Sequence, residues 1–142
     1  MKKVLINFLA IIIGLFIGSM VNMSLINLSS SIIPPPNGID VTTEEGLQAA
    51  MHLFEPKHFI FPFLAHALGT LTGAFFTALI ARSYKKTLAL IIGCFFLIGG
   101  VVMIYMLPSP LWFSAIDLIL AYIPFSYLGY KAANSITNRK RI

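Results

Sequence analysis

Residues 88–107 read LALIIGCFFLIGGVVMIYML, an apolar run without a charged side chain. About 20 helical residues cross a hydrocarbon core of about 30 Å, so this run predicts a transmembrane helix. Runs of the same character lie at Val4 to Leu28, Phe59 to Ala81 and Leu111 to Tyr130. We therefore expect an all-α integral membrane protein, a bundle of four transmembrane helices that forms a single membrane domain over residues 1–142.

The composition supports a lipid environment and excludes several other classes. Hydrophobic residues make up 58% of the chain and charged residues only 11%, far from the balance of a soluble domain. The net charge of +5 comes from basic clusters at the ends of the apolar runs, which is typical of membrane spans and gives no support to a nucleic-acid partner. One cysteine, Cys94, excludes an intramolecular disulfide.

The basic residues also predict the orientation. If the chain starts inside, nearly all of them fall on the cytoplasmic side, namely Lys2, Lys3, Arg82, Lys85, Lys86, Lys131, Arg139, Lys140 and Arg141. Only Lys57 falls outside, in the loop 29–58 that also holds most of the acidic residues. Since cytoplasmic loops are rich in Lys and Arg, we expect cytoplasmic N- and C-termini, a tail at 131–142, and an inner-membrane location.

The loop 29–58 carries an amphipathic pattern. It opens with Pro34, Pro35 and Pro36, and Thr42 with Glu45 then forms a capping-box pattern. Apolar residues follow at helical spacing, at Leu47, Ala50, Met51 and Phe54. We expect an interfacial helix in this extracytoplasmic loop, with its apolar stripe on the membrane or the bundle and its polar side in water.

Two interpretations of the histidines in this loop stay open. His52, Glu55 and His58 form an H-x2-E-x2-H array, and imidazole and carboxylate ligands suit zinc or a similar ion. Alternatively, His52 and Glu55 belong to the wet helix face and His58 to the headgroup region. Pro56 interrupts the helix between the candidate ligands, so the regular geometry of helical zinc motifs is not available.

Polar residues within the spans predict an intramembrane centre. Counted at 1.5 Å per residue, Asp117, His66 and Asn22 each lie about 9 to 10 Å below the outer ends of their helices, and Gly99 and Gly100 lie slightly deeper. A carboxyl group in the hydrocarbon is costly, so Asp117 should face protein or water. Histidine is the side chain whose charge most readily changes near neutral pH. The layer is either a proton-coupled or solute-binding centre, or a buried hydrogen-bonded cluster that fixes helix register.

Small residues at steps of four form two stripes, Gly14 and Gly18 on the first helix and Gly69 and Gly73 on the second. Both stripes allow close helix packing, either within the chain or with a second copy in a homo-oligomer. Pro124 should kink the fourth helix near Asp117.

Three functions follow from these features. The first is a small transporter or channel component for a small polar or cationic solute, centred on Asp117 and His66. The second is a non-catalytic scaffold that binds lipid or a membrane partner. The third is an interfacial enzyme on lipid or quinone, although the chain lacks phosphate loops, nucleophile elbows, H-E-x-x-H and paired cysteines. We expect no cofactor unless the loop binds an ion.

Overall fold

The computed structural model describes residues 2–36 and 39–139, and this part of the chain is all-helical, without strands. The elements are α1 (Lys2–Ile32), α2 (Glu44–Ala50), a 3₁₀ turn (Met51–Leu53), a second 3₁₀ turn (Pro56–Phe59), α3 (Ile60–Ile80), α4 (Lys85–Met106), α5 (Leu111–Ile116), a π-helical turn (Asp117–Ala121) and α6 (Ile123–Arg139). Four of the helices formed by these elements are long and apolar enough to cross a membrane. The all-helical prediction is thereby confirmed for the described residues.

Two of these helices extend beyond the apolar runs. α1 continues through Ser29 to Ile32 and is ended by the proline run, because a residue before proline disfavours helical backbone. The fourth helix continues past Tyr130 to Arg139, and Ala133 in this extension is buried against α3 and α4. Lys140, Arg141 and Asn37 lie outside the described residues.

α3 is the central helix and packs against α1, α4 and α6. The two glycine stripes lie against each other: a Cβ on Gly18 would lie 2.6 Å from the Gly69 carbonyl oxygen, and one on Gly73 would lie 2.8 Å from that of Gly14. Thr77 adds a hydrogen bond of 3.1 Å from its hydroxyl to the Ala10 carbonyl. Both stripes are therefore used within the chain, in the contact between α1 and α3.

α2 is tied to the bundle by polar and apolar contacts. Gln48 donates a hydrogen bond of 2.7 Å to the Met106 carbonyl at the end of α4. Of the predicted apolar stripe, Ala50 and Met51 are buried, while Leu47 and Phe54 pack against the cluster formed by Met51, Phe59 and Phe113. The expected apolar side thus covers one end of the bundle.

The start of α2 differs from the predicted capping box. The N-cap is Thr43, one residue later, and its hydroxyl accepts a hydrogen bond from the Gly46 N–H at 3.1 Å. Thr42 instead donates its hydroxyl and backbone N–H to the Asp40 carboxylate, at 2.6 and 2.8 Å. Both hydrogen bonds lower the pKa of Asp40 below its ordinary value, and the bond from the Thr42 hydroxyl has the larger effect. Thr42 is therefore part of the turn before the helix.

Candidate functional site

His66 of α3 and Asp117 of the fourth helix are in direct contact. The imidazole Nδ1 lies 2.9 Å from each of the two carboxylate oxygens. The Asp117 side chain is 6% exposed and that of His66 is 20% exposed. The carboxylate is therefore enclosed by protein, and the imidazole is the part of the pair that reaches the surface of the bundle.

A third side chain, Tyr122, completes this group and was not among the residues singled out from the sequence. Its hydroxyl donates a hydrogen bond of 2.8 Å to Asp117 Oδ2, and the residue is 1% exposed. Its ring also stacks on the imidazole of His66, with ring centroids 5.7 Å apart and planes at 28°. We call His66, Asp117 and Tyr122 the carboxylate cluster.

The backbone between Asp117 and Tyr122 explains how these two side chains meet. In an α-helix, residues five apart point about 140° away from each other around the axis. Residues Asp117–Ala121 form a π-helical turn, whose wider i to i+5 hydrogen bonding brings such residues to the same side. Pro124 follows closely and has no N–H to donate to the carbonyl four residues earlier, which favours local rearrangement of the helix.

α4 makes room for the tyrosine at Gly100. A Cβ at this position would clash with the Tyr122 hydroxyl and lie 2.7 Å from its Cζ. Its neighbour Gly99 is different, because a Cβ there would have no atom within 4 Å. Of the expected glycine pair, only Gly100 adjoins the cluster.

Asn22 lies near the site but is not joined to it. Its Cβ is 3.0 Å from the position that a Cβ on Gly69 would occupy, so it continues the glycine contact between α1 and α3. Among the hydrogen bonds of the described residues, none links Asn22 to His66, Asp117 or Tyr122. The structure therefore brings together two of the three residues expected in the polar layer.

The geometry defines which groups of the cluster can share hydrogen bonds. If Asp117 is ionised, its carboxylate accepts hydrogen bonds from the Tyr122 hydroxyl and from an Nδ1–H of His66. The same Nδ1 contact is an ion pair if the imidazole is protonated.

Thr70 adds a further polar group on the same side of α3. It lies four residues after His66, one helical turn away, and is fully buried. Its hydroxyl oxygen has no hydrogen-bond partner within the described part of the chain. A buried hydroxyl left unpaired costs about 1–3 kcal/mol, so this position provides hydrogen-bonding capacity that the protein does not itself use.

The histidines of the outer loop have different environments. His58 is buried, and its Nδ1 accepts a hydrogen bond of 2.9 Å from the Glu55 N–H. The Glu55 carboxylate lies 3.1 Å from Lys57 Nζ, and His52 is exposed. Over residues 2–36 and 39–139, no group of three His, Cys, Asp or Glu side chains could hold a metal ion. Zinc binding by His52, Glu55 and His58 stays a prediction. In the described part of the chain these three side chains do not form a group of metal ligands.

Two cavities lie at the α2 end of the bundle. One, of about 230 Å³, separates the start of α2 from the end of α4 and is lined by Val41, Thr42, Thr43, Glu44, Leu47, Met103, Met106 and Leu107. The other, of about 220 Å³, is an open apolar groove lined by Pro56, Phe59, Ile60, Phe63, Leu64, Trp112, Phe113 and Ile116. Neither includes a residue of the carboxylate cluster.

Comparison of the chain with protein-family models, curated proteins and solved structures finds no match.

Proposed function

We propose that this chain is an inner-membrane protein that moves a small polar or cationic solute, coupled to proton binding at the carboxylate cluster. Its four long apolar helices suggest a membrane protein. They expose large apolar side chains along their lengths, for example Phe16 at 64% and Ile98 at 62%, which suits contact with lipid.

The proposed orientation places both termini and the α3–α4 loop in the cytoplasm. Its support is the basic residues of the sequence, because Arg82, Lys85 and Lys86 fall in that loop and Lys57 lies at the other end of α3. α2 and the carboxylate cluster then belong to the outer half of the protein.

The observation that carries the proton-coupled function is the contact between His66, Asp117 and Tyr122. An Asp in a membrane-spanning helix costs about 2.5–3.5 kcal/mol on insertion scales, and such residues commonly mark ion or proton pathways. Here the acid contacts the one kind of side chain that ordinarily exchanges protons near neutral pH. The partly exposed His66 offers a route by which the proton enters, while Asp117 stays enclosed.

Thr70 supports solute binding next to the same group. A purely structural cluster gains nothing from a buried hydroxyl that lacks a partner. A solute with a hydrogen-bonding group would satisfy it one turn from His66. Under the proposal, Thr70 would hydrogen-bond a polar or cationic solute beside the carboxylate cluster in a conformation that opens space there, because neither cavity of this structure reaches it.

A scaffold is the second candidate, and the packing of Asp117 favours it. The His66 Nδ1 lies 2.9 Å from both carboxylate oxygens, the Tyr122 hydroxyl donates to Oδ2, and neither cavity reaches the carboxylate. Polar contacts between membrane helices contribute about 0.6–2 kcal/mol each, enough to fix the positions of α3 and α6. In a scaffold the cluster would stay in one protonation state during function.

Proton-sensitive flux in reconstituted vesicles tests the proposal. Vesicles that contain the protein and a trapped pH dye would receive tetramethylammonium, choline or a neutral amino acid from outside. We expect at least one solute to cause a change of internal pH, and Asp117→Asn to abolish it. Asp40→Asn removes a carboxylate from the outer loop and serves as the matched control. No pH change with any solute, or an unchanged signal in Asp117→Asn, would contradict the transport function.

Nitrogen-labelled histidine provides a second test that needs no solute. The chain has only 3 histidines, so each imidazole can be assigned by substitution. Under the proposed function we expect the His66 resonances to respond to pH in the native protein, and to respond differently in Asp117→Asn because the carboxylate that contacts Nδ1 is replaced by an amide. A His66 spectrum that does not respond to pH would favour the scaffold.

A further inference from the structure

Two lysines from different helices share one aromatic ring at the end of the bundle opposite α2. Lys86 lies in the first turn of α4, and its Nζ is 5.4 Å from the centre of the Tyr127 ring. Lys131 lies one turn after Tyr127 on α6, and its Nζ is 5.7 Å from the same centre. The ring attracts both ammonium groups, although the two groups repel each other.

No carboxylate side chain balances these charges. All acidic residues of the sequence lie elsewhere, at Asp40, Glu44, Glu45, Glu55 and Asp117. Within the described residues, the ion pairs are those of Lys57 with Glu55 and of His66 with Asp117, so neither lysine has an acidic partner. An anion bound beside these ammonium groups would offset their positive charge.

The start of α4 adds to this positive potential. Its N-cap, Tyr84, has left-handed backbone at φ 52° and makes no side-chain hydrogen bond to the helix. The first turn holds Lys85 and Lys86 and no acidic residue, although helix N-termini favour negative charge. Both the helix end and the two lysines therefore favour an anion at this place.

We propose that Lys86, Lys131 and Tyr127 bind the phosphate of an anionic lipid headgroup. This site is separate from the carboxylate cluster and rests only on the membrane placement proposed above. Lysines bind phosphate as mobile point charges, and both ammonium groups lie within about 6 Å of the centre of the Tyr127 ring. A lipid fits better than a soluble phosphate, because Ile123, one turn along the helix toward the apolar region, is 38% exposed and provides surface for an acyl chain.

Lipid binding to the full chain in detergent can be counted by native mass spectrometry. Phosphatidylglycerol would be the anionic probe and phosphatidylcholine the zwitterionic one. We expect phosphatidylglycerol to bind preferentially, and each lysine to contribute about fivefold to its affinity. The double variant Lys86→Gln with Lys131→Gln should therefore bind about 25-fold more weakly.

The matched control is the double variant Lys2→Gln with Lys3→Gln. It removes the same charge from the same end of the bundle, but at the start of α1, which packs mainly on α3, and the ammonium groups over the Tyr127 ring are those of Lys86 and Lys131. We expect it to lose less than about threefold, because distant charges are largely screened. Equal losses in the two double variants would mean that the attraction is diffuse, and the site would be disproved.

Two further results would also overturn the proposal, and both use the native protein. Equal binding of phosphatidylglycerol and phosphatidylcholine would exclude an anion site. Displacement of phosphatidylglycerol by glycerol phosphate at equal concentration would identify a soluble phosphate as the ligand. Circular dichroism of each variant verifies its folding, and Tyr127→Leu should weaken phosphatidylglycerol binding severalfold because it removes the ring but no charge.

Discussion

Truncation of His66 and Asp117, singly and together, measures whether their contact contributes to folding. Asp117→Ala removes the carboxylate contacts with His66 and Tyr122, each worth about 0.6–1.7 kcal/mol in a membrane bundle. It also leaves the Tyr122 hydroxyl buried and unpaired, at about 1–3 kcal/mol. In the opposite direction, the variant no longer carries the cost of an acid in an apolar helix, which is about 2.5–3.5 kcal/mol. The net effect of the single variant is therefore a loss of about 1 kcal/mol, the small difference between larger opposing contributions.

The coupling between the two substitutions is free of this cancellation. We expect the double variant to deviate from the sum of the single variants by about 1 kcal/mol, because the contact is lost only once. The free energy of unfolding would be measured in mixed detergent micelles by circular dichroism. Fluorescence of Trp112, the single tryptophan, gives an independent probe at the start of the same helix, five residues before Asp117.

Asn22 supplies the control cycle. It packs against Gly69 and has no hydrogen bond to the cluster among the described residues, so Asn22→Ala and Asp117→Ala should add within about 0.5 kcal/mol. Additivity for His66 with Asp117 would show that their 2.9 Å contact contributes nothing to the fold. Coupling of Asn22 to Asp117 as strong as that of His66 would instead restore the three-residue layer expected from the sequence.

Three further predictions concern packing, the outer turn and the π-helical turn. Gly18→Leu should lower the free energy of unfolding by about 1–3 kcal/mol, because an added Cβ lies 2.6 Å from a backbone oxygen. Gly99→Leu has open space around it and should change the free energy of unfolding by less than about 0.5 kcal/mol. Equal effects of the two variants on unfolding in detergent would contradict the close contact at Gly18. Thr42→Val should raise the pKa of Asp40 toward its ordinary value, measured by carboxyl-carbon NMR. A pKa that is lower in the folded turn than in the unfolded chain stabilises the turn above the unfolded pKa, and this stabilisation is lost as the pH falls through the folded pKa. The variant turn should therefore open at a higher pH than the native one. An unchanged Asp40 titration would exclude the Thr42 hydroxyl as the cause. Pro124→Ala restores a backbone N–H and should let residues 117–121 become α-helical. The Tyr122 hydroxyl would then leave the Asp117 carboxylate, and the infrared bands of the carboxylate would shift. Unchanged bands would show that Pro124 does not determine the π-helical turn.

The apolar runs predicted the helices well because a run of about 20 apolar residues has few other stable structures. The ends were less predictable, since a helix does not have to stop where hydrophobicity stops. Ser29 extends α1, and Ala133 lies in an amphipathic extension that packs on the bundle. Hydropathy measures how strongly a segment prefers an apolar environment, whereas the end of a helix depends on residues that interrupt helical backbone, such as the prolines after Ile33.

The position of each residue along its helix predicted that His66 and Asp117 lie at the same depth, because an α-helix rises 1.5 Å per residue. Depth does not determine direction around the helix, and Asn22 packs on the glycine contact instead of the cluster. Tyr122 could not be found with α-helical spacing, because its position five residues after Asp117 is on the wrong side of an α-helix. The signal that was available was Pro124, which indicated irregular backbone close to the acid.

The π-helical turn determines whether Tyr122 can reach Asp117. Tyr122 stays on the carboxylate only while residues 117–121 keep the π-helical form, since the α-helical form turns it away by about 140°. A free carboxylate holds the tyrosine hydroxyl more strongly than one whose charge is balanced by an imidazolium. Under the proposed function, proton uptake by His66 weakens this hold while Asp117 stays ionised, and this favours the α-helical register, withdraws the ring from Gly100 and opens space beside α4. A scaffold has no use for two registers, so the variants that alter this turn without altering charge separate the two functions.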